Sequence, residues 1–228
     1  MLDELSSQTC EQEVLACLKE LPSGLTETYQ RILDKVATLP TARRLLALKV
    51  FFWTITVRRP VSIAEMRILL SVQPRDKNPD QRRFIIDAEK TIYSVCAGLI
   101  QYRGSQRSIH PTHFTVTEYL DTYFRQEQVL KEIMGAYQTL DLRSNDSLAT
   151  AVCLRYLSYD FVTELATTTN PAEATAILQE PEPKFALLLY AIENWPFHFI
   201  SINDPERGAH SPFFYMLLET GITTLAYQ

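Results

Sequence analysis

Apolar residues recur at helical spacing through most of this chain, giving way to strand-like runs in one short region. Leu2, Leu5, Val14, Leu15, Leu18 and Leu21 make residues 1–21 amphipathic, and Pro22-Ser23-Gly24 ends that helical segment. Leu25, Tyr29, Ile32, Leu33 and Val36 predict a second helix, stopped by Pro40, with Thr41 placed to cap the next. Residues 42–56 are apolar on nearly every side (Leu45, Leu46, Leu48, Val50, Phe51, Phe52, Trp53), so this helix belongs at the centre of the fold. Arg58-Arg59-Pro60 closes it. Ser62 and Glu65 have capping-box spacing, and Ile63, Met66, Leu69 and Leu70 then share one face. Residues 73–82 are polar and contain prolines, predicting a loop. Residues 84–97 predict another helix, with Gly98 as its C′ residue.

The period then shortens. Leu99-Ile100-Gln101-Tyr102 and residues 108–114 predict two strands joined by a turn at Arg103-Gly104-Ser105-Gln106-Arg107, and Pro111 restricts the second strand to an edge or bulge. Thr115 and Glu118 have capping-box spacing, predicting a helix from there to about residue 124. Three helices followed by a β-hairpin is the order of a winged helix. Beyond it, helical stretches are expected at about 127–140, 147–166, 172–179 and 184–195, separated by Arg143-Ser144-Asn145, by residues 167–171 and by Glu180-Pro181-Glu182-Pro183. The expected fold class is therefore mainly α: a winged helix, with its small β-hairpin, followed by an α-helical array.

Composition narrows the partners. With 228 residues, 46% of them hydrophobic and 11% aromatic, the chain is long and apolar enough for sizeable cores. A net charge of −5 argues against nucleic acid or an anionic membrane as partner. The most apolar window, residues 45–57, is interrupted by Lys49 and falls short of the roughly 20 residues that cross a bilayer. Cys10, Cys17, Cys96 and Cys153 form no Cys-x-x-Cys pair and follow no secretory signal, which fits reduced thiols in a cytoplasmic protein.

Catalytic chemistry finds little support. The sequence has no Gly-x-x-x-x-Gly-Lys-Ser/Thr loop for phosphates and no Gly-x-Ser-x-Gly elbow. His110 and His113, three residues apart on a strand, face opposite sides, and no cysteine is near them in sequence. Cys96 beside Ile92 and Val95 fits a small core residue. We therefore expect no enzyme, no metal site and no cofactor bound by this chain alone. A DNA-reading role would fall to residues 84–97, but Asp87 and Glu89 stand there against Lys90. Only Arg82, Arg83, Arg103 and Arg107 nearby would favour it.

The candidate that remains is His113, in His113-Phe114-Thr115-Val116-Thr117-Glu118-Tyr119-Leu120. This segment resembles the His-x-Ser/Thr-x-x-Glu-Tyr/Phe-Leu signature that follows the nucleotide-binding domain of NACHT-type signalling ATPases. Three further segments resemble the same region of fungal NACHT–ankyrin proteins of the STAND class. They are Leu21-Pro22-Ser23-Gly24-Leu25-Thr26-Glu27-Thr28-Tyr29-Gln30-Arg31-Ile32-Leu33, Arg59-Pro60-Val61-Ser62-Ile63-Ala64-Glu65-Met66, and Cys96-Ala97-Gly98-Leu99. Together the four segments span roughly residues 15–125. The winged-helix unit they outline also carries the label GPI inositol-deacylase winged helix, which implies no deacylase activity here. Cys153-Leu154-Arg155-Tyr156-Leu157 and residues 185–195 are similar to the helical linker of those proteins. Residues 211–225 resemble the opening of a divergent ankyrin unit.

The resemblance implies residues 1–24 as the end of a preceding helical segment, 25–125 as the winged helix, 126–208 as a helical linker and 209–228 as the start of an ankyrin repeat. It further implies that His113 contacts the β-phosphate of ADP held by a NACHT domain, in cis or in trans. The chain would then be the middle of a larger architecture, a connector that passes nucleotide state to C-terminal repeats. Two other readings stay open: a protein-interaction scaffold using Trp195, Phe197, Phe199, Phe213, Phe214 and Tyr215, and a DNA-binding winged helix.

Overall fold

The computed structural model describes residues 24–105, 107–135, 137, 142–167 and 183–202. The expectations for residues 1–23, for the helix at 172–179 and for the ankyrin-like stretch at 209–228 lie outside the described residues, as do Cys10, Cys17 and His210. The described chain begins with α1 (Leu25–Ala37), α2 (Thr41–Thr56), α3 (Ile63–Ser71) and α4 (Ala88–Val95). Strands β1 (Ile100–Arg103) and β2 (Ser108–Pro111) follow, then α5 (Phe114–Phe124), α6 (Glu127–Met134), α7 (Asn145–Leu157), α8 (Asp160–Thr167) and α9 (Leu188–Ile200). The fold is thus mainly helical with a small two-stranded antiparallel sheet.

Helix α2 is the axis of the packing, as its sequence requires. Ala47, Val50 and Phe51 are fully enclosed, Phe52 and Trp53 nearly so, and α1, α3, α4, α5, α6, α7 and β2 all touch this helix. Phe52 packs edge-on against Trp53 at 5.1 Å and against Phe124 of α5 at 6.0 Å. Each such aromatic stabilises the fold by about 1.5–3 kcal/mol through burial. One position breaks the pattern. Lys49 is half-buried and makes no hydrogen bond or ion pair among the described residues; burial lowers its pKa below the ordinary 10.5.

Helix α3 starts at the predicted capping box. Ser62 Oγ accepts from the Glu65 amide at 3.2 Å, and Glu65 Oε2 accepts from the Ser62 amide at 2.6 Å. The residues just before α3 also join the hairpin: Ser62 bridges Ser108, and the Ile109 amide donates to the Val61 carbonyl at 2.8 Å. Within the hairpin, Ile100 faces Pro111 and Arg103 faces Ser108. Pro111 ends the second strand, and Thr112 resumes the pattern by donating to the Leu99 carbonyl at 3.0 Å.

Several boundaries differ from expectation, each for a local or tertiary reason. The N-cap of α2 is Pro40, whose carbonyl accepts from the Arg43 and Arg44 amides; Thr41 is already helical. The helix expected over 84–97 is α4 alone, because Asp87 takes a left-handed conformation (φ 47°) and a 3₁₀ turn, Gln81–Arg83, precedes it. After α4 the first left-handed residue is Ala97 (φ 48°), with Gly98 (φ 81°) second. The stretch expected over 147–166 is split into α7 and α8: the Asp160 amide and carboxylate are held by the Lys77 carbonyl and the Asn78 side chain of the polar loop. Helix α9 runs through Pro196 to Ile200 instead of stopping at 195.

Ser62→Ala removes one half of the capping box and should lower unfolding stability by about 1 kcal/mol in a urea titration. Lys49→Met should instead raise the thermal midpoint, because it deletes a half-buried charge without a partner. Lys49's folded-state pKa lies below its unfolded value, so the penalty is full below the lowered pKa and vanishes as pH approaches 10.5. The stability gap between Lys49→Met and wild type should therefore shrink as pH rises through that window.

Candidate functional site

His113 is the N-cap of α5, a role expected of Thr115. The imidazole Nδ1 accepts from the Thr115 amide at 3.3 Å and lies 2.8 Å from Thr115 Oγ1. Thr115 Oγ1 in turn lies 2.7 Å from the Tyr29 hydroxyl of α1. An amide nitrogen can only donate, so Nδ1 must be the acceptor. In the neutral ring the proton is then on Nε2, which makes no hydrogen bond among the described residues. The capping interaction thus fixes the tautomer and leaves one N–H donor on the exposed side of the ring.

The surroundings of His113 suit an interface. Arg103, Pro111, Thr112, Phe114 and Thr117 line a shallow depression with it. Arg103 makes no ion pair among the described residues, and the depression lies at the N-terminus of α5, the positive end of the helix dipole. Positive charge, a helix N-terminus and a fixed imidazole donor together favour an anion. Phe114 is 65% exposed and Leu25, one helical turn before Tyr29, is 59% exposed, so apolar surface flanks the polar cluster. His110 belongs elsewhere: its Nε2 pairs with Ser108 Oγ at 2.9 Å, and burial lowers its pKa.

A second cluster, not foreseen from sequence, joins the α2–α3 turn to α7 and α9. His198 is fully buried on α9, and its Nδ1 lies 2.6 Å from Asp146 Oδ1 on α7. Its Nε2 lies 2.9 Å from the Tyr190 hydroxyl, which accepts from the Arg58 amide at 3.2 Å. The Arg58 guanidinium closes the circuit by donating to Asp146 Oδ1 and Ser201 Oγ, both at 2.8 Å. Arg59 stacks over the Tyr190 ring at 5.2 Å and pairs with Glu65 at 2.7 Å. Every member is occupied by another and the histidine is closed to solvent, so the cluster ties the α2–α3 turn to α7 and α9. Asp146 and His198 are 52 positions apart, which hid the pairing from a reading of local motifs.

Other candidates take simpler roles. Cys96 and Cys153 are free and fully buried; burial pushes the Cys153 thiol up to about 12 and that of Cys96 higher still, leaving both unreactive. Three of the four arginines that would favour DNA are held by carboxylates: Arg82 by Asp80, Arg83 by Asp76, and Arg107 by Glu89. Trp195 and Phe199 are partly buried and stack at 6.3 Å, whereas Leu189, Phe197 and Ile200 leave a mostly exposed apolar stripe on α9. Among the described residues, no three His, Cys, Asp or Glu side chains gather as a metal site, and no helix is long and apolar enough to cross a membrane. Searches against protein families, curated proteins and solved structures return no match for this chain.

Two substitutions probe the cluster around His198. Asp146→Ala strands the buried His198 nitrogen and should cost about 1–3 kcal/mol in chemical denaturation. Arg58→Ala, at the exposed end of the same cluster, should cost less than about 1 kcal/mol.

Proposed function

We propose that this chain is a non-catalytic regulatory connector that docks against a nucleotide-binding domain, supplied in cis or in trans, through the edge around His113. The observation that carries the reading is the fixed Nε2 donor of His113, exposed beside Arg103 and the N-terminus of α5 and flanked by Phe114 and Leu25. Such a site offers a diphosphate a charge-assisted contact while the apolar rim buries against the surrounding protein.

The winged-helix reading of this half is supported by element order. Helix α2, the bridge at Ser62, helices α3 and α4, and strands β1 and β2 follow as helix, strand, helix, helix, strand, strand. In this reading ADP bound in the NACHT-like domain holds the winged helix through His113. Exchange for ATP shifts the contact, and the helical array carries the change to C-terminal repeats. The module works inside the cell, where the nucleotide domain it serves is found.

A scaffold role is the second reading, favoured by the exposed stripe of Leu189, Phe197 and Ile200 on α9. DNA binding has less support. Beside the ion-paired arginines, α4 presents Glu89 next to Asp87, leaving few cations for phosphates.

The test uses a NACHT domain from the same genome, loaded with ADP or with a non-hydrolysable ATP analogue. The wild-type chain should associate with the ADP form at least tenfold more tightly. His113→Ala should lose that preference. His113→Asn, which keeps an N-cap side chain but lacks the reach of Nε2, should lose it too while retaining the wild-type circular dichroism spectrum and melting point. Equal affinity of the wild-type chain for both nucleotide forms would remove the sensor role. Retained association of a Phe197→Asp variant would argue against the α9 stripe as the docking face.

A further inference from the structure

The outer side of α9 carries a row of residues four positions apart. Leu189, Glu193, Phe197 and Ser201 form one ridge along the helix and its C-cap, with Ile200 beside it. Leu189 is 65% exposed, Phe197 60% and Ile200 67%. Arg58, Asn194, Phe197, Ile200 and Ser201 line an open depression of about 360 Å³ on this side, roomy enough for a phenyl ring.

Two charges flank Phe197. Glu193 is exposed one turn before it and makes no hydrogen bond or ion pair among the described residues. The nearby Arg59 is held by Glu65 at 2.7 Å, and its pKa is raised by that bond first and by the charge of Glu193 after it. Arg58 reaches the ridge one turn after Phe197, at Ser201. Every hydrogen bond of its guanidinium goes through Nη2, to Asp146, Ser201 and the Phe197 carbonyl, so Nε and Nη1 keep donors for a further acceptor. The side chain is 38% exposed and stays within reach. The ridge thus reads carboxylate, phenyl ring, guanidinium, at steps of about 6 Å along the helix axis.

That order is its own complement. Turning the helix end for end about an axis through Phe197 sets each carboxylate against a guanidinium and ring against ring. A two-fold contact between identical chains requires this property of its surface, whereas an unrelated partner sets no such condition. Burial of Leu189, Phe197 and Ile200 would drive the association, and the two charge pairs would fix its antiparallel register.

We propose that α9 is a two-fold interface between two copies of this chain, crossing antiparallel at Phe197, with Glu193 of each copy on Arg58 of the other. The interface gives the stripe behind the scaffold reading a definite occupant. It shares no residue with the depression around His113, so it and the nucleotide contact can fail separately.

The test is sedimentation velocity of the full chain from about 1 to about 100 µM, where a contact of micromolar strength is read. The wild-type chain should pass from monomer to dimer over this range and form nothing larger, because a closed two-fold contact stops at two. Phe197→Asp should weaken the dimer roughly tenfold or more. Glu193→Lys sets like charges together twice and should also weaken it roughly tenfold or more, with Glu193→Gln falling between it and wild type. Both positions are exposed, so the circular dichroism spectrum of each monomer should match wild type. A wild-type chain that stays monomeric, its stripe covered by another protein or by another part of the chain, would overturn the proposal. So would a dimer that Phe197→Asp leaves intact, or one indifferent to Glu193→Lys. The wild-type and Glu193→Lys measurements decide the matter even where Phe197→Asp fails to fold.

Discussion

A sixteen-residue helix that is apolar on nearly every side past its first turn must be covered from all directions, and α2 imposes that condition on the rest of the chain. The residues before the hairpin cannot supply enough surface. Helices α1, α3 and α4 cover part of α2, α5 closes another side by placing Phe124 on Phe52, and α6 and α7 complete the shell. The helical array therefore does not hang from the first half of the chain. It shares a core with it, and the buried cluster runs unbroken from Leu33 to Ala191.

This sharing gives the polar joint its meaning. Arg58 and Arg59 leave the end of α2 where the chain must turn, and each reaches a partner on the array: Asp146 and Ser201 for Arg58, the Tyr190 ring for Arg59. Arg59 also holds Glu65, whose other oxygen caps α3, and the residue before Ser62 bonds to β2. Strand β2 leads directly to His113. The chain itself, through β2, thus joins the surface around His113 to the contacts that tie α3 to α9.

The elements that could be read from sequence were those fixed by neighbours in sequence. The burial of α2 followed from Leu45 through Trp53, the start of α3 from Ser62 and Glu65, and the hairpin from its two short runs. The errors arose where distant residues decide. Thr115 looked like the N-cap of α5, but Tyr29, 86 positions away, sits against its hydroxyl, and the histidine takes the cap. Nothing local marks the break between α7 and α8, because the loop at Lys77 and Asn78 makes it. The last helix was expected to stop at about 195, yet α9 runs on through Pro196 to Ile200. The turn beyond Pro196 survives because His198 is buried against Asp146 and Ser201 is held by Arg58. His113 itself stood out in the sequence, but the state of its two ring nitrogens depends on geometry that no motif contains.

His113 and Lys49 present the same kind of signal at opposite energetic extremes. The free donor of His113 faces water and costs the fold almost nothing, because its other nitrogen already contributes a helix cap. Its presence alone therefore says little, and weight falls on its neighbours: a cation without a carboxylate and apolar side chains left exposed. Lys49 is the converse. Its side chain is half-buried without an ion-pair partner among the described residues, and burial lowers its pKa, so the fold carries a cost at that position. A stability measurement therefore bears differently on the two sites. At the histidine it reports the helix cap and not the free donor, which only binding can probe. For the lysine, a more stable Lys49→Met variant measures the desolvation cost directly.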